Sequence, residues 1–216
     1  MLTAVDLFAG CGGLSLGFQN AGINICAAYE FWDKAAKCYE LNFTHPVFKQ
    51  DLSDTENAVI AIKKYSPDLI IGGPPCQDFS HAGKRIESTR ASLTESYAKI
   101  ISAIRPAYFV MENVDRAQKS NAYAEARAIF KQSGYGLTEI VLDASRCGVP
   151  QKRKRFFCIG IKDGQELVIL FSNAFLIMLQ HYVNILEINW ILNIITDIHA
   201  TTIVEQFFLL MNPHQP

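Results

Sequence analysis

The chain has 216 residues, half of them apolar, and carries 20 basic against 21 acidic side chains. That length and apolar share suit one well-filled α/β core, and the near-zero net charge gives no overall sign of a polyanionic partner. The six cysteines (Cys11, Cys26, Cys38, Cys76, Cys147, Cys158) form no Cys-x-x-Cys pair and no His/Cys ligand spacing, so neither a zinc site nor a disulfide framework is indicated.

Strand and helix patterns alternate along the first three quarters of the chain. Thr3–Phe8 reads as a strand, followed by a glycine-rich turn and a helix over Leu14–Asn20. Ile23–Tyr29 is a second strand, Asp33–Leu41 a helix and Val47–Lys49 a short third strand ending at Asp51. Asn57–Lys64 reads as helical, Asp68–Gly72 as the fourth strand and Leu93–Ile104 as a helix. Tyr108–Glu112 is a fifth strand and Ala122–Gln132 a helix, and Leu137–Leu142 with Phe156–Ile161 close the sheet. Such alternation predicts a parallel sheet with helices on both faces and a binding site at the carboxyl ends of its strands.

The chain changes character near residue 163. Every Lys, Arg and Gly precedes Gln165, whereas Gln165–Pro216 holds four acidic residues, no basic ones and abundant isoleucine. Leu167–Leu186 is free of charge, but it contains Ser172, Asn173, Gln180, His181 and Asn184 and has no flanking basic anchors. Membrane insertion is therefore not expected. The N-terminus enters a strand without a charged leader or cleavage site, so reduced thiols in a cytoplasmic protein are expected.

Three clusters carry chemistry. Asp6-Leu-Phe8-Ala-Gly10-Cys-Gly12-Gly-Leu14 follows the first strand and opens a helix, where a tight turn brings backbone amides against a ligand. Ser15 stands where the dinucleotide fingerprint would have its third glycine. Glu30 ends the second strand, placed to accept from ribose hydroxyls, with Phe31 beside it as an apolar plate for a purine. Asp51 ends the third strand, placed to accept from an adenine amino group. A glycine turn alone is weak, but with two carboxylates at successive strand ends it indicates a nucleoside site.

The second cluster is Gly73-Pro74-Pro75-Cys76-Gln77, directly after the fourth strand. A free cysteine is most often a buried, inert thiol, the reading given to Cys11, Cys26, Cys38 and Cys158. Cys76 differs, because two prolines fix successive φ angles before it and so fix the direction of its thiol. Glu112, ending the fifth strand, is expected beside it; most strand-end glutamates are merely solvated, but one next to a thiol can hold a proton or bond a base edge. Third, Gln151-Lys-Arg153-Lys-Arg155 precedes the last strand. Such runs are usually solvated, yet alternation would put Arg153 and Arg155 on one side, able to grip phosphate or a base. Lys84, Arg85 and Arg90 follow the cysteine and could meet a phosphate backbone.

In this order the blocks resemble the cytosine-C5 DNA methyltransferase family over about residues 3–162. Asp6–Gly17 resembles the cofactor motif, Glu30 the ribose residue, Asp51 the adenine-contacting residue, Pro75-Cys76-Gln77 the catalytic motif, Glu112-Asn113-Val114 the base-holding motif and Gln151-x-Arg153-x-Arg155 the later arginine motif. The resemblance implies a Rossmann-like S-adenosylmethionine-dependent methyltransferase fold with a mostly parallel sheet. It implies Cys76, Glu112, Arg153 and Arg155 as the catalytic set, and S-adenosylmethionine as methyl donor with no metal. The donor would lie on Asp6, Phe8, Gly10, Gly12, Leu14, Glu30, Phe31, Asp51, Leu52 and Pro75, and DNA on Gln77, Ser80, Lys84, Arg85 and Arg90. The partners implied are double-stranded DNA and, functionally, a cognate restriction endonuclease, with the protein a monomer.

Two departures stand out. Ala91 occupies a place where the family favours glycine. More seriously, the variable target-recognition domain and the blocks after it are not visible. Residues 1–163 are thus read as the catalytic and cofactor domain, and 164–216 as an atypical tail in place of the recognition domain. Beyond about Asp163 the reading frame is expected to have slipped, since codons exist for Asn193–Phe208 whose adjacent frame spells a basic, loop-like stretch. Alternatives are a tRNA cytosine-C5 methyltransferase, a non-catalytic remnant needing a separate recognition half and, further off, a nicotinamide oxidoreductase.

Overall fold

The structure, a computed structural model, describes residues 2–75, 93–146 and 150–164. Cys76, Gln77, Ser80, Lys84, Arg85, Arg90 and the tail from Gln165 lie outside the described residues, and the expectations placed on them are not addressed by the coordinates. Within the described part the strands are β1 (Thr3–Leu7), β2 (Asn24–Tyr29), β3 (Val47–Phe48), β4 (Leu69–Gly72), β5 (Tyr108–Val114), β6 (Tyr135–Asp143) and β7 (Lys154–Lys162). The helices are α1 (Gly13–Asn20), α2 (Asp33–Asn42), α3 (Thr55–Lys63), α4 (Leu93–Ile104) and α5 (Asn121–Gln132).

All seven strands join one sheet in the order β3-β2-β1-β4-β5-β7-β6. The order reverses between β1 and β4, which are paired in parallel. Beyond their carboxyl ends lies the crevice where open α/β sheets bind ligands. β7 departs from the expected parallel arrangement: it runs antiparallel to both β5 and β6. The reversal matters for function, because it brings the beginning of β7, with Arg153 and Arg155, to the same edge as the ends of β4 and β5.

Period-two alternation sorts the strand residues onto two faces. Val5, Leu7, Ile70, Phe109, Met111 and Phe156 pack against α3, α4 and α5. Ala4, Ile25, Leu69, Ile71, Val110 and Phe157 point the other way, with Phe18 of α1 among them. The four residues of β4 are all buried, as a central strand covered on both faces requires. Tyr97 of α4 is fully buried. Its hydroxyl lies 3.2 Å from the Ile70 carbonyl and 3.1 Å from that of Val110, tying the helix to the two strands that carry the later motifs.

Candidate active site

The turn after β1 is held by its own backbone amides and by side chains packed beneath it. Phe8 adopts φ 58°, a left-handed conformation uncommon for a bulky residue and characteristic of constrained sites. Gly12, with φ 101°, caps α1, and a β-carbon there would come within 2.1 Å of the Phe43 ring, so this seat admits only glycine. Ala9 donates its amide to the Tyr29 carbonyl at 3.1 Å, binding the turn to the end of β2. Glu30 completes the attachment. One carboxylate oxygen accepts the Gly10 amide at 2.9 Å and the other the Trp32 amide at 2.6 Å. A carboxylate has about four lone-pair sites, so both oxygens retain capacity for a ligand's hydroxyls.

Opposite this turn stand the ends of β4 and β5. Arg155 Nε donates to Glu112 Oε1 at 2.7 Å, with both side chains about three-quarters shielded. The register explains the meeting. Val114 sits opposite Arg155 in the antiparallel pair, so Glu112, two residues earlier on the same face, is its diagonal neighbour. Gly73 passes so close that a β-carbon on it would lie 3.3 Å from Glu112 Oε2. Asn113 points to the other side of β5 and is buried. Its side-chain nitrogen donates to the Pro74 carbonyl at 2.9 Å, while its oxygen accepts the Val114 amide at 2.8 Å. The loop leading to Cys76 is therefore fastened to the strand that carries Glu112.

A cavity of about 340 Å³ joins the two sides. Phe8, Gly10, Leu14, Glu30 and Trp32 line one end, and Gly73, Glu112, Arg153 and Arg155 the other. Several expected donor residues are absent from its wall. Asp6 is fully buried beneath the turn, where its Oδ2 accepts from the Ser15 hydroxyl at 2.7 Å. One carboxylate oxygen of Asp51 accepts from the Ser53 amide and hydroxyl at 2.9 and 2.7 Å, and Leu52 is buried beside it. Phe31 and Trp32 are both largely exposed, at 63% and 61%, and Trp32 lines the cavity. The sequence signal for Trp32 was its position as the residue before α2, two places after Glu30.

An open α/β sheet with its cavity at the strand-order reversal, a glycine turn tied to an acidic strand end and a Glu–Arg pair across from it make up this edge of the molecule. The sequence profile described as C-5 cytosine-specific DNA methylase matches residues 2–205, and the chain belongs to that family. It is 58% identical over 160 residues to the Type II methyltransferase M.HindV of Haemophilus influenzae, covering 74% of this chain and 53% of that protein. With M.HgiDI of Herpetosiphon aurantiacus it shares 54% identity over 164 residues, 76% of this chain and 53% of the relative. The solved structure of a Spodoptera frugiperda DNMT2 mutant superposes with a TM-score of 0.65 at 25% identity, covering 80% of this chain and 53% of that one. The chain thus spans about half the length of these relatives. The fold is the Rossmann-like fold of S-adenosylmethionine-dependent methyltransferases. Among the described residues no helix is long and apolar enough to cross a membrane.

Proposed function

We propose that the protein acts as a DNA (cytosine-5-)-methyltransferase, moving a methyl group from S-adenosylmethionine to C5 of cytosine within a specific sequence of double-stranded DNA. The observation that carries this reading is the single cavity running from Glu30 and Trp32 to Glu112 and Arg155. A donor held at one end would lie within reach of a base held at the other. The names of the similar Type II methyltransferases support a restriction–modification setting, with a cognate endonuclease as functional partner.

The cavity residues fit the donor: Glu30 offers carboxylate acceptors, Trp32 and Phe8 apolar surface, and the open turn at Gly10 backbone polar groups. When bound, S-adenosylmethionine supplies an electrophilic methyl group. The chain must make the acceptor carbon nucleophilic. With the cytosine flipped out of the duplex, the Cys76 thiolate adds to C6 and pushes electron density onto C5. Glu112, carrying a proton, donates it toward N3 and accepts from the exocyclic amine as charge builds on the ring, and Arg155 and Arg153 steady the base and adjoining phosphate. Asn113, through Pro74, fixes where the thiol loop leaves β4. After C5 accepts the methyl group, loss of the C5 proton and elimination of Cys76 restore the enzyme.

Incubation with labelled donor and either duplex DNA or tRNA tests the reading. Label in DNA, with covalent trapping on 5-fluorocytosine DNA that disappears in Cys76→Ser, is the expected outcome. Label in tRNA alone would shift the substrate, and donor binding without transfer until a second polypeptide is added would indicate a separate recognition half. The division near residue 163 and the slipped frame beyond it rest on composition, and an uninterrupted methyltransferase tail in another frame of the coding DNA is the result that supports them.

A further inference from the structure

We propose that Ser15, Tyr39 and His45 are positioning residues for the donor turn, joined to Asp6 in one directional chain of hydrogen bonds that locks Phe8–Gly12 in place. The inference rests on reading the cavity as the donor site. Asp6 lies at the end of β1 and Ser15 in the first turn of α1, so their 2.7 Å bond staples the two ends of the turn together. Tyr39 of α2 sits 2.6 Å from the Ser15 hydroxyl, and His45 Nε2 lies 2.6 Å from the Tyr39 hydroxyl. Asp6, Ser15 and Tyr39 are all fully buried, so the two bonds among them are shielded from water, and the Tyr39–His45 bond is partly so. Tyr39 also stacks on Phe43, the ring that excludes a β-carbon at Gly12.

Counting protons fixes the direction. A carboxylate only accepts, so Ser15 spends its single proton on Asp6. Tyr39 must then donate to Ser15, and its oxygen is left to accept from His45. That requires the proton of the imidazole to sit on Nε2. The other end agrees: the Gln19 side-chain nitrogen faces His45 Nδ1 at 3.5 Å, a donor directed at a bare ring nitrogen. Burial depresses the His45 pKa and favours the neutral ring this arrangement needs.

The test uses the 216-residue chain. Nitrogen-15 spectra of the histidines are expected to show neutral His45 protonated on Nε2; a proton on Nδ1 overturns the chain, whatever the donor does. Tyr39→Phe keeps the ring and removes the hydroxyl. It is expected to weaken S-adenosylmethionine binding about ten-fold, or about 1.4 kcal/mol, raising donor KM while leaving kcat at saturating donor unchanged. His45→Gln, whose amide still donates to Tyr39, is expected to keep wild-type affinity, whereas His45→Leu falls with Tyr39→Phe. Equal affinity in wild type and Tyr39→Phe overturns the proposal. Failure of the wild type to bind donor counts instead against the donor-site reading. The chain is then judged by amide exchange at Gly10 and Gly12: faster in Tyr39→Phe if it holds the turn, unchanged if it does not.

Discussion

The two ends of the cavity are built on opposite principles. At the donor end, Glu30 is occupied by backbone amides of Gly10 and Trp32, and the turn rests on buried hydroxyls of Ser15 and Tyr39. At the base end, Glu112 and Arg155 meet side chain to side chain at 2.7 Å, partly open to water. The buried hydroxyl bonds beneath the turn are costly to leave unmade, so the first end is fixed before any ligand arrives. A partly exposed ion pair contributes little net stability. On the proposed reading it can exchange partners when a base and a phosphate enter, which leaves that end free to rearrange. The difference suggests that mutations should separate cleanly into those that change donor affinity and those that change the rate of transfer.

The largest expected effect is at the nucleophile. Cys76→Ala should abolish methyl transfer and trapping on 5-fluorocytosine DNA while leaving donor affinity, measured calorimetrically, unchanged. Glu112→Gln comes next. It keeps the side chain's shape and one oxygen that can accept from an exocyclic amine, but removes the charge that pairs with Arg155 and the proton a carboxyl can pass to N3. A fall in kcat of about 10²–10⁴-fold is expected, again with donor affinity intact. Loss of donor binding in either variant would mean that the two ends are not independent.

Glu30→Gln probes the other end. The amide keeps one acceptor oxygen for Gly10 or Trp32 but turns an NH₂ group toward the other N–H. One of the two bonds is lost, part-buried at Gly10 or exposed at Trp32, and donor KM should rise about ten-fold. Single-turnover rates at saturating donor should hardly change. A drop in that rate instead would assign Glu30 to the chemical step and dissolve the contrast.

Much of this organisation is legible in the sequence, and the gaps have physical causes. All seven strands and five helices follow from apolar periodicity, with ends displaced by one or two residues in most cases. The start of α3 is an example: Asp54 accepts the Asn57 amide, so the helix begins at Thr55, a capping pattern that periodicity alone overlooks. The direction of β7 was not legible, because direction is set by the connection and not by the strand's own residues. Asp6 illustrates another limit. A carboxylate beside a glycine turn reads as a ligand contact, and only the packing of α2 shows that it faces Ser15 and Tyr39 beneath the turn. Asn113 was noticed as part of a motif without a task, since its partner, the Pro74 carbonyl, is 39 residues away in sequence.

Asn113 should give a smaller effect than Glu30 and of the other kind. Asn113→Asp keeps an acceptor for the Val114 amide but loses the donor to Pro74. With the thiol loop less firmly seated, kcat should fall about ten-fold, the equivalent of one hydrogen bond to a carbonyl, at unchanged donor KM. A matching loss in Asn113→Ala would show that the Pro74 contact, and not the bond to Val114, is what transfer requires.

The smallest effect lies away from the cavity and concerns stability. Asp68, before β4, accepts from the Thr3 amide at 2.9 Å and the Thr3 hydroxyl at 2.8 Å, clasping the start of β1. The backbone bond, followed by the hydroxyl bond, holds its carboxyl below the usual carboxylate range. A depressed pKa in the folded state means that the clasp stabilises fully above the unfolded value, near pH 4. Its contribution fades as the pH falls through the folded value. Because the group is partly exposed, its contribution should be at most about 1 kcal/mol. Urea midpoints of wild type and Asp68→Asn should therefore differ modestly at neutral pH and converge in acid. A gap that persists once the pH has fallen below the depressed folded pKa of Asp68, where both side chains are uncharged, would show that Asp68 acts by shape and hydrogen bonding alone, without its charge.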